Sequence, residues 1–315
     1  MLDDHWEEET RLRSIDAPEA WSRLVANIRE TRGTVMIIGA PDTGKTTLAR
    51  FLVRELAHHG ETVAFIDGDM GQSILGPPTT LGMAVLRGEL GDLDQAPPGP
   101  VYFVGSTSPR GHGLETVVGL KRLLGKSQLD GCPMAIVDTT GYVTGRDAVE
   151  LKYQKIDLLD PLHIVAVQRA GEIEPILETQ IGRGRASIHR IAPSRFVQKR
   201  SPEERRYYRW KRFKDYFGQV RLHRVDLRRT RLTGTHRLKI YEGSENAHEG
   251  LLLGLNGPDN FIAALGVLER LDRSRGMLSC LVPSGLDMEG VRNVRTGSMR
   301  IDLSEEADGE RFLGE

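Results

Sequence analysis

Short, almost wholly apolar runs alternate with amphipathic segments through the first half of the chain. Five such runs predict strands at 35–38, 63–66, 101–104, 134–137 and 163–167. Between them, apolar residues recur every three or four positions, which predicts helices over 47–56, 113–124 and 147–153. Strands that are apolar throughout and alternate with helices are typical of a mainly parallel sheet with helices on both faces. The pattern therefore predicts an α/β fold.

The two ends of the chain show different patterns. Asp16 to Arg29 predicts an amphipathic helix with a proline in its first turn. Beyond residue 218, short apolar pieces punctuated by glycine predict strands at 237–241, 250–254, 277–282 and 298–303. We therefore expect an N-terminal helical extension (1–32), an α/β domain (33–218) and a smaller, β-rich C-terminal domain (219–315).

Composition narrows the class of protein. The chain has 315 residues, of which 39% are hydrophobic, enough for one large or two ordinary globular domains. Its two cysteines, Cys132 and Cys280, lie too far apart in sequence for a zinc motif and are too few for a disulfide framework. The acidic first residues and the lack of a long apolar run argue against a secretory signal or a membrane span. We expect a cytoplasmic protein with no membrane contact.

Charge is distributed unevenly along the chain. The formal net charge is only −1, yet residues 183–239 contain 19 Lys and Arg against four acidic residues, a local net of +15. Such a basic segment favours a polyanionic partner, because Lys and Arg that neutralise phosphates release counterions. A solvated charged helix is the alternative interpretation of this segment.

The strongest chemical signal lies between the first predicted strand and its helix. Gly39-Ala-Pro-Asp-Thr-Gly-Lys-Thr46 fits the phosphate-loop pattern G-x-x-x-x-G-K-[ST] at every fixed position. In such loops backbone amides and a helix N-terminus surround a polyphosphate, the lysine reaches the β and γ phosphates, and the hydroxyl holds Mg²⁺. The predicted nucleotide-binding residues are Gly39, Asp42, Thr43, Gly44, Lys45, Thr46 and Thr47. A glycine-rich turn that contains a lysine by chance is the alternative.

Carboxylates follow the second and fourth predicted strands. Asp67 and Asp69 come directly after the strand at 63–66, and Asp138 directly after the strand at 134–137. Next to a Mg²⁺–triphosphate, Asp67 and Asp138 are candidate outer metal ligands, with Thr46 as the inner one. Asp69 is the candidate base that accepts a proton from an attacking hydroxyl. An ordinary acidic turn is the alternative for the first pair.

Further polar and aromatic residues occur at the same predicted strand ends. Candidate substrate contacts are Gln72, Thr107, Ser108, Thr139, Gly141 and Tyr142. Tyr142 could stack on a base, an interaction worth about 1–3 kcal/mol, although a core tyrosine fits equally well. Thr107 and Ser108 could also belong to a plain strand-to-helix turn.

The basic segment includes a regular arrangement of arginines. Arg205, Arg209 and Arg212 are spaced four and three residues apart, which predicts one helical face. Arginines that close over a γ phosphate stabilise the charge of a phosphoryl-transfer transition state, so Arg205 and Arg209 are catalytic candidates and Arg212 a substrate contact. The aromatic residues between them, such as Trp210, favour packing of the helix.

Together these residues resemble the polynucleotide 5′-hydroxyl kinase family, which includes the RNA kinase of the cleavage and polyadenylation machinery. The resemblance covers about residues 33–217 and consists of the phosphate loop, the Asp-Gly-Asp-Met-Gly-Gln segment 67–72, Thr-Ser-Pro at 107–109, a clasp at 139–142 and an arginine lid at 205–209. It implies a P-loop NTPase fold, use of ATP and Mg²⁺, and phosphorylation of the 5′-hydroxyl of RNA or DNA. It also implies that Asp69 activates the hydroxyl, Lys45 and the lid arginines stabilise the phosphoryl group, and the clasp holds the terminal nucleotide.

The sequence departs from this family at two points, and other functions stay open. Tyr142 stands where the clasp usually has tryptophan, and only about thirty residues precede the sheet, where eukaryotic members have a small β domain. A nucleotide-gated RNA-binding factor without turnover would keep the same motifs, although the intact Lys45, Thr46 and Asp69 argue against it. A switch GTPase would explain Asp138-Thr-Thr-Gly141, but the guanine-reading motif is missing from the sequence. A small-molecule kinase would leave the basic segment without a purpose. Protein partners are unknown at this point.

Overall fold

Two seven-stranded sheets dominate the molecule. The computed structural model describes residues 19–88, 93–234, 248–272, 274–303 and 313–314. The start of the predicted N-terminal helix and the predicted strand at 237–241 lie outside these residues.

The first sheet is built in the first two thirds of the chain. Its strands are β1 Gly33–Gly39, β2 Val63–Gly68, β3 Thr80–Leu86, β4 Val101–Phe103, β5 Met134–Thr139, β6 His163–Val167 and β7 Ser187–Ile191. They lie in the order β4-β3-β2-β5-β1-β6-β7. Five neighbouring strands, β2, β5, β1, β6 and β7, pair in parallel. The strand β3 pairs antiparallel with β2, and the edge strand β4 pairs antiparallel with β3. The predicted α/β fold with a mainly parallel sheet is confirmed.

Helices cover both faces of this sheet. They are α1 Glu19–Thr31, α2 Lys45–His58, α3 Gly113–Leu129, α4 Arg146–Leu159, the single turn α5 Glu174–Leu177, and α6 Pro202–Phe217. Alternate residues of β1 point to opposite faces: Val35 and Ile37 pack with α1 and α2, whereas Met36 and Ile38 pack with α3 and α4. This two-sided burial explains why the central strands are apolar throughout.

The second sheet forms the C-terminal part. Its strands are β8 Val220–Asp226, β9 Arg231–Gly234, β10 Leu251–Asn256, β11 Ile262–Asp272, β12 Met277–Pro283, β13 Asn293–Ile301 and β14 Leu313–Gly314. Apart from the parallel pair of β9 and β13, its strands pair antiparallel. One face packs on its own core, and the other packs on Phe103 of β4 and on Phe213 and Phe217 of α6. The expected smaller β-rich unit is thus present.

The structure corrects several details of the predicted elements. The run at 101–104 was expected in the parallel part of the sheet, but it forms an antiparallel edge strand next to β3, which the sequence pattern missed. The strands β7, β8, β9 and β14 and the long strand β11 were missed as well. Each of these missed strands mixes apolar positions with glycine, histidine or charged residues, so none resembles a continuous apolar run. Both cysteines are free and buried.

Candidate active site

The phosphate loop connects β1 to α2 across the middle of the first sheet. Gly44, directly before α2, has a φ of 81°, which favours glycine. A Cβ on Gly39 would lie 2.6 Å from the carbonyl oxygen of Val167. Lys45 donates to the carbonyl of Ala40 at 2.7 Å, and so does the Thr43 hydroxyl at 2.9 Å. The first amides of α2 have no side-chain cap, so they are open to a phosphate group.

Thr46 and Asp138 meet behind this loop. The Thr46 hydroxyl donates to Oδ2 of Asp138 at 2.5 Å. Asp138 is buried, and this desolvation raises the pKa of its carboxyl to about 6, although the Lys45 ammonium opposes the shift. Burial likewise lowers the pKa of Lys45, and the neighbouring Asp138 opposes that shift. Positive charge brought to this point would stabilise the ionised carboxylate.

These donors fit a Mg²⁺ ion that travels with a nucleotide. A hydroxyl and a carboxylate are hard oxygen ligands of the kind that Mg²⁺ prefers, and its other positions are usually filled by phosphates and water. Among the described residues no three His, Cys, Asp or Glu side chains converge as a metal site by themselves. Thr46 and Asp138 would be the residues of this chain that hold the ion.

Asp67 organises the loop that follows β2. Its carboxylate accepts hydrogen bonds from the Ser73 hydroxyl (2.9 Å) and from the amides of Ile74 (2.7 Å), Leu75 (3.2 Å) and Asp69 (3.2 Å). Complete burial raises its pKa to about 7, against the effect of these donors. Direct metal binding by Asp67 would need some of these bonds to break, and its role as a ligand stays a prediction.

Asp69 is held beside the phosphate loop. Its Oδ1 accepts from the amides of Gly71 (3.0 Å) and Gln72 (3.1 Å), and its charge acts on both Lys45 and Asp138. The carbonyl of Thr107 lies 2.7 Å from where a Cβ on Gly71 would be, which brings the Thr107–Ser108 turn against this loop. The segments at 67–72 and 107–109 therefore lie at one sheet edge.

The arginine-rich helix α6 lies across the same edge. Arg205 pairs with Asp42 of the phosphate loop at 2.5 Å. Tyr208 donates to the carbonyl of Ser73 at 2.9 Å, and Arg212 donates to the carbonyls of Ile74 and Gly76 at 3.1 and 2.7 Å. Arg209 is half-buried on the same side of the helix. The helix is thus closed over the two loops, with Arg205 nearest the phosphate position.

The proposed clasp follows β5, between β2 and β1 in the sheet, and lies next to the phosphate loop. The Thr139 hydroxyl donates to the carbonyl of Ile37 at 2.8 Å. A Cβ on Gly141 would lie 2.7 Å from the nitrogen of Pro41, so this glycine allows the clasp to touch the loop. Tyr142 is half-buried, and the Arg110 guanidinium lies 5.3 Å from its ring centre. Its stacking on a base stays a prediction.

Comparison with known proteins agrees with this geometry. Residues 39–219 match the family described as mRNA cleavage and polyadenylation factor CLP1 P-loop. The chain belongs to the CLP1 P-loop family. Two archaeal relatives are named polyribonucleotide 5′-hydroxyl-kinase. The Pyrococcus horikoshii protein is 30% identical over 89% of this chain and 88% of its own length. The Methanocaldococcus jannaschii protein is 28% identical over 87% of this chain and 89% of its own length.

Solved structures give the same fold. A structure of the Clp1p–Pcf11p complex matches 88% of this chain and 77% of that chain, with a TM-score of 0.65 and 16% sequence identity. At this identity the match shows the fold alone. It confirms that this CLP1-family chain is a P-loop protein with an additional β-rich part.

The site of this CLP1-family chain also contains cations that the sequence analysis missed. Arg169, two residues after the end of β6, donates to the carbonyl of Asp42 in the phosphate loop. Lys152 and Lys155 of α4 are completely buried below the clasp. The helical spacing of Ala148, Lys152, Lys155 and Leu159 could have revealed them, because it places both lysines on the buried face. Lys152 donates to the Thr139 hydroxyl and to the carbonyl of Thr140, both at 2.8 Å.

No described helix is long and apolar enough to cross a membrane.

The excess positive charge of residues 183–239 is partly neutralised within the fold. Arg183 pairs with Asp157, Arg190 with Glu174, and Arg228 with Asp226, at 2.7 to 2.9 Å. The described part of the basic segment, residues 183–234, is distributed over β7, α6, β8 and β9 and the loops between them.

Proposed function

We propose that this polynucleotide 5′-hydroxyl kinase transfers the γ-phosphate of ATP to the 5′-hydroxyl of an RNA or DNA strand at the sheet edge between the phosphate loop, Asp69 and α6. The observation that carries the proposal is the ion pair of Arg205 with Asp42, which joins the arginine-rich helix to the phosphate loop. The names of the archaeal relatives favour RNA as the acceptor.

The phosphate loop binds the triphosphate and stabilises it. Backbone amides at the start of α2 contact the phosphates, while the Lys45 ammonium leaves the Ala40 carbonyl for the β and γ phosphates. The buried position of Lys45 strengthens this interaction, since the charge acts in a medium of low polarity. When bound, Mg²⁺ would be held by Thr46 and Asp138 and would neutralise charge on the phosphate oxygens.

Asp69 accepts the proton of the attacking hydroxyl. The 5′ oxygen forms a bond to the γ phosphorus while the bond from phosphorus to the β–γ bridging oxygen breaks, and ADP leaves with that electron pair. Hydrogen bonds from the amides of Gly71 and Gln72 to one oxygen of Asp69 fix the orientation of its carboxylate.

Arg205 and Arg209 stabilise the charge that spreads over the transferring phosphoryl group. Arg205 already lies next to the phosphate loop, so it exchanges the Asp42 carboxylate for a phosphate oxygen when ATP binds. Thr107, Ser108 and the clasp residues Thr139 to Tyr142 surround the terminal nucleotide. A cytoplasmic location stays a prediction from the sequence.

Radiolabel transfer tests this function. The protein is incubated with γ-labelled ATP and 5′-hydroxyl oligomers of RNA and of DNA, alongside Lys45→Ala and Asp69→Asn. We expect label on the wild-type product and a loss of about 100-fold or more in kcat for each variant. The same assay with GTP in place of ATP distinguishes two classes of protein. A kinase that accepts both nucleotides labels the oligomer, whereas a GTPase only releases phosphate.

Two outcomes would contradict the proposal. Oligomers that bind in the presence of ATP but acquire no label would favour an RNA-binding factor without turnover. Release of phosphate from GTP alone, with no label on either polymer, would favour a switch protein. Full activity of Asp69→Asn would reject the assignment of the base while leaving the kinase function in place.

A further inference from the structure

A groove of about 820 Å³ opens beside the clasp. It lies between the first turns of α3 and α4, and we name it the clasp groove. Its walls include Arg110, Leu114, Tyr142, Arg146, Glu150 and Gln154. This volume is within the range of sites that hold ligands of several hundred daltons. Tyr142 of the clasp lines it, whereas the phosphate loop, Asp69 and the arginines of α6 do not.

The clasp groove is continuous with the proposed acceptor site. Tyr142 forms part of its wall, and Gly141 next to it touches Pro41 of the phosphate loop. From there the groove follows α4 from Arg146 to Gln154, a distance of about 12 Å at the helical rise of 1.5 Å per residue. A chain held by the clasp at its terminal unit would therefore find a channel of about two further units directly beside it.

The chemistry of the groove fits bases and phosphates. The Arg110 guanidinium lies over the Tyr142 ring at 5.3 Å, which forms a flat, cationic surface of the kind on which nucleobases stack. The side chain of Leu114, 76% exposed, adds an apolar surface. Among the described residues neither Arg110 nor Arg146 has an acidic side chain within ion-pair distance, so both charges are available to a ligand.

Backbone charge strengthens this preference at one end. Arg146 is the first residue of α4, which follows Gly145 and has no side-chain cap, and α3 likewise begins without one after His112. The positive ends of two helices therefore lie at the groove together with two arginines. Two carboxylates also line the groove: Glu150, which accepts a hydrogen bond from Gln154 at 2.8 Å, and Asp147 in the first turn of α4.

We propose that the clasp groove binds the second and third nucleotides of a single-stranded acceptor, on the 3′ side of the nucleotide that receives the phosphate. Arg110, which stacks on Tyr142 of the clasp, holds the base of the second nucleotide, and Arg146 with the start of α4 holds a backbone phosphate. This inference rests on the proposed kinase function and adds the length and single-stranded form of its substrate.

A length series tests the groove. The acceptors are 5′-hydroxyl oligoribonucleotides of two, four and ten units with the same first nucleotide. For the wild type, we expect KM to fall about tenfold from two to four units and to change little from four to ten. In Arg110→Ala/Arg146→Ala, the ratio of KM between the two shortest acceptors should fall toward one. Arg23→Ala/Arg29→Ala, which removes two exposed arginines from α1, should keep the wild-type ratio.

A binding measurement makes the result independent of turnover. Fluorescence anisotropy with a labelled tetranucleotide and a non-hydrolysable ATP analogue should give a Kd about tenfold weaker in the groove variant than in the wild type and the α1 control. Equal KM for all lengths, or equal tetranucleotide Kd in all three proteins, would overturn the groove. Weaker binding in the groove variant without label transfer by the wild type would support the groove and reject the kinase function.

Discussion

At the scale of single residues, burial lowers the pKa of both lysines of α4, but their hydrogen bonding differs. Lys152 donates hydrogen bonds to the Thr139 hydroxyl and to the carbonyl of Thr140 in the clasp. In contrast, Nζ of Lys155 has no hydrogen-bond partner among the described residues. Burial lowers the pKa of Lys155 to about 8, and the nearby Asp69 opposes only part of this effect. A charged, partnerless ammonium in the core costs free energy of folding.

Lys155→Met should therefore stabilise the protein at neutral pH. Below pH 8 the folded wild type contains the buried charge, which costs up to about 3 kcal/mol for a pKa lowered from 10.5 to about 8. Between pH 8 and 10.5 the unfolded chain binds more protons at this residue than the folded one does, so wild-type stability rises with pH. Urea unfolding at pH 7 and pH 10 should show a large gain for the variant at pH 7 and a smaller one at pH 10.

Lys152→Met provides the contrast within the same helix. It leaves the carbonyl of Thr140 without its donor and releases the Thr139 hydroxyl, so we expect no gain in stability and a lower kinase rate. A stability gain of equal size in both variants would show that hydrogen bonding at Lys152 contributes nothing.

At the scale of elements, the lid helix α6 shows what a local sequence pattern can predict. The spacing of Arg205, Arg209 and Arg212 predicted one helical face, and the structure turns Arg205 and Arg212 toward the two loops at the sheet edge. The sequence did not predict what anchors the helix, because Ser73, Ile74 and Gly76 contribute backbone carbonyls. Any residue offers a carbonyl, so no residue type marks the contact.

Ser201→Ala should loosen the end of the lid that holds Arg205. The Ser201 hydroxyl accepts from the amide of Glu204, whose carboxylate accepts from the Ser201 amide, and Pro202 follows at the first helical position. Loss of such a cap costs about 1 kcal/mol. If the lid must be ordered for transfer, steady-state kinetics should give a kcat about fivefold lower.

Ser201→Thr is the matched control for this lid variant, since threonine also caps helices. It should restore most of the wild-type kcat. Equal kcat for the alanine and threonine variants would mean that the order of this helical turn does not limit transfer.

At the scale of the whole molecule, the junction of the two sheets was beyond the reach of sequence reasoning. The motifs at successive strand ends could be brought together in advance, because parallel strands present their carboxyl ends at one edge. No comparable rule predicts which residues form the contact between the two sheets. Phe103, Phe213 and Leu265 come from distant parts of the chain, and each only predicts a buried position. Their meeting depends on the complete topology.

Two glycines test the importance of this junction. A Cβ on Gly297 of β13 would lie 2.8 Å from the carbonyl oxygen and 3.0 Å from the Cα of Gly105, both backbone atoms that cannot rotate away. The neighbouring Ser298 donates its amide to Gly105 at 2.8 Å and shares a hydrogen bond with His112 at 3.0 Å. Gly297→Ala should therefore separate the sheets and cost about 1–3 kcal/mol of stability.

The same substitution should also lower kinase activity, because Gly105 begins the turn that contains Thr107 and Ser108, and this turn touches Gly71 next to Asp69. Scanning calorimetry should show a lower Tm, and label transfer a lower kcat. Gly290→Ala is the control, since a Cβ there would contact no atom within 4 Å. A lower Tm with unchanged kcat would mean that the C-terminal sheet stabilises the fold without positioning the acceptor turn, and unchanged values for both would mean that the two glycines can move apart freely.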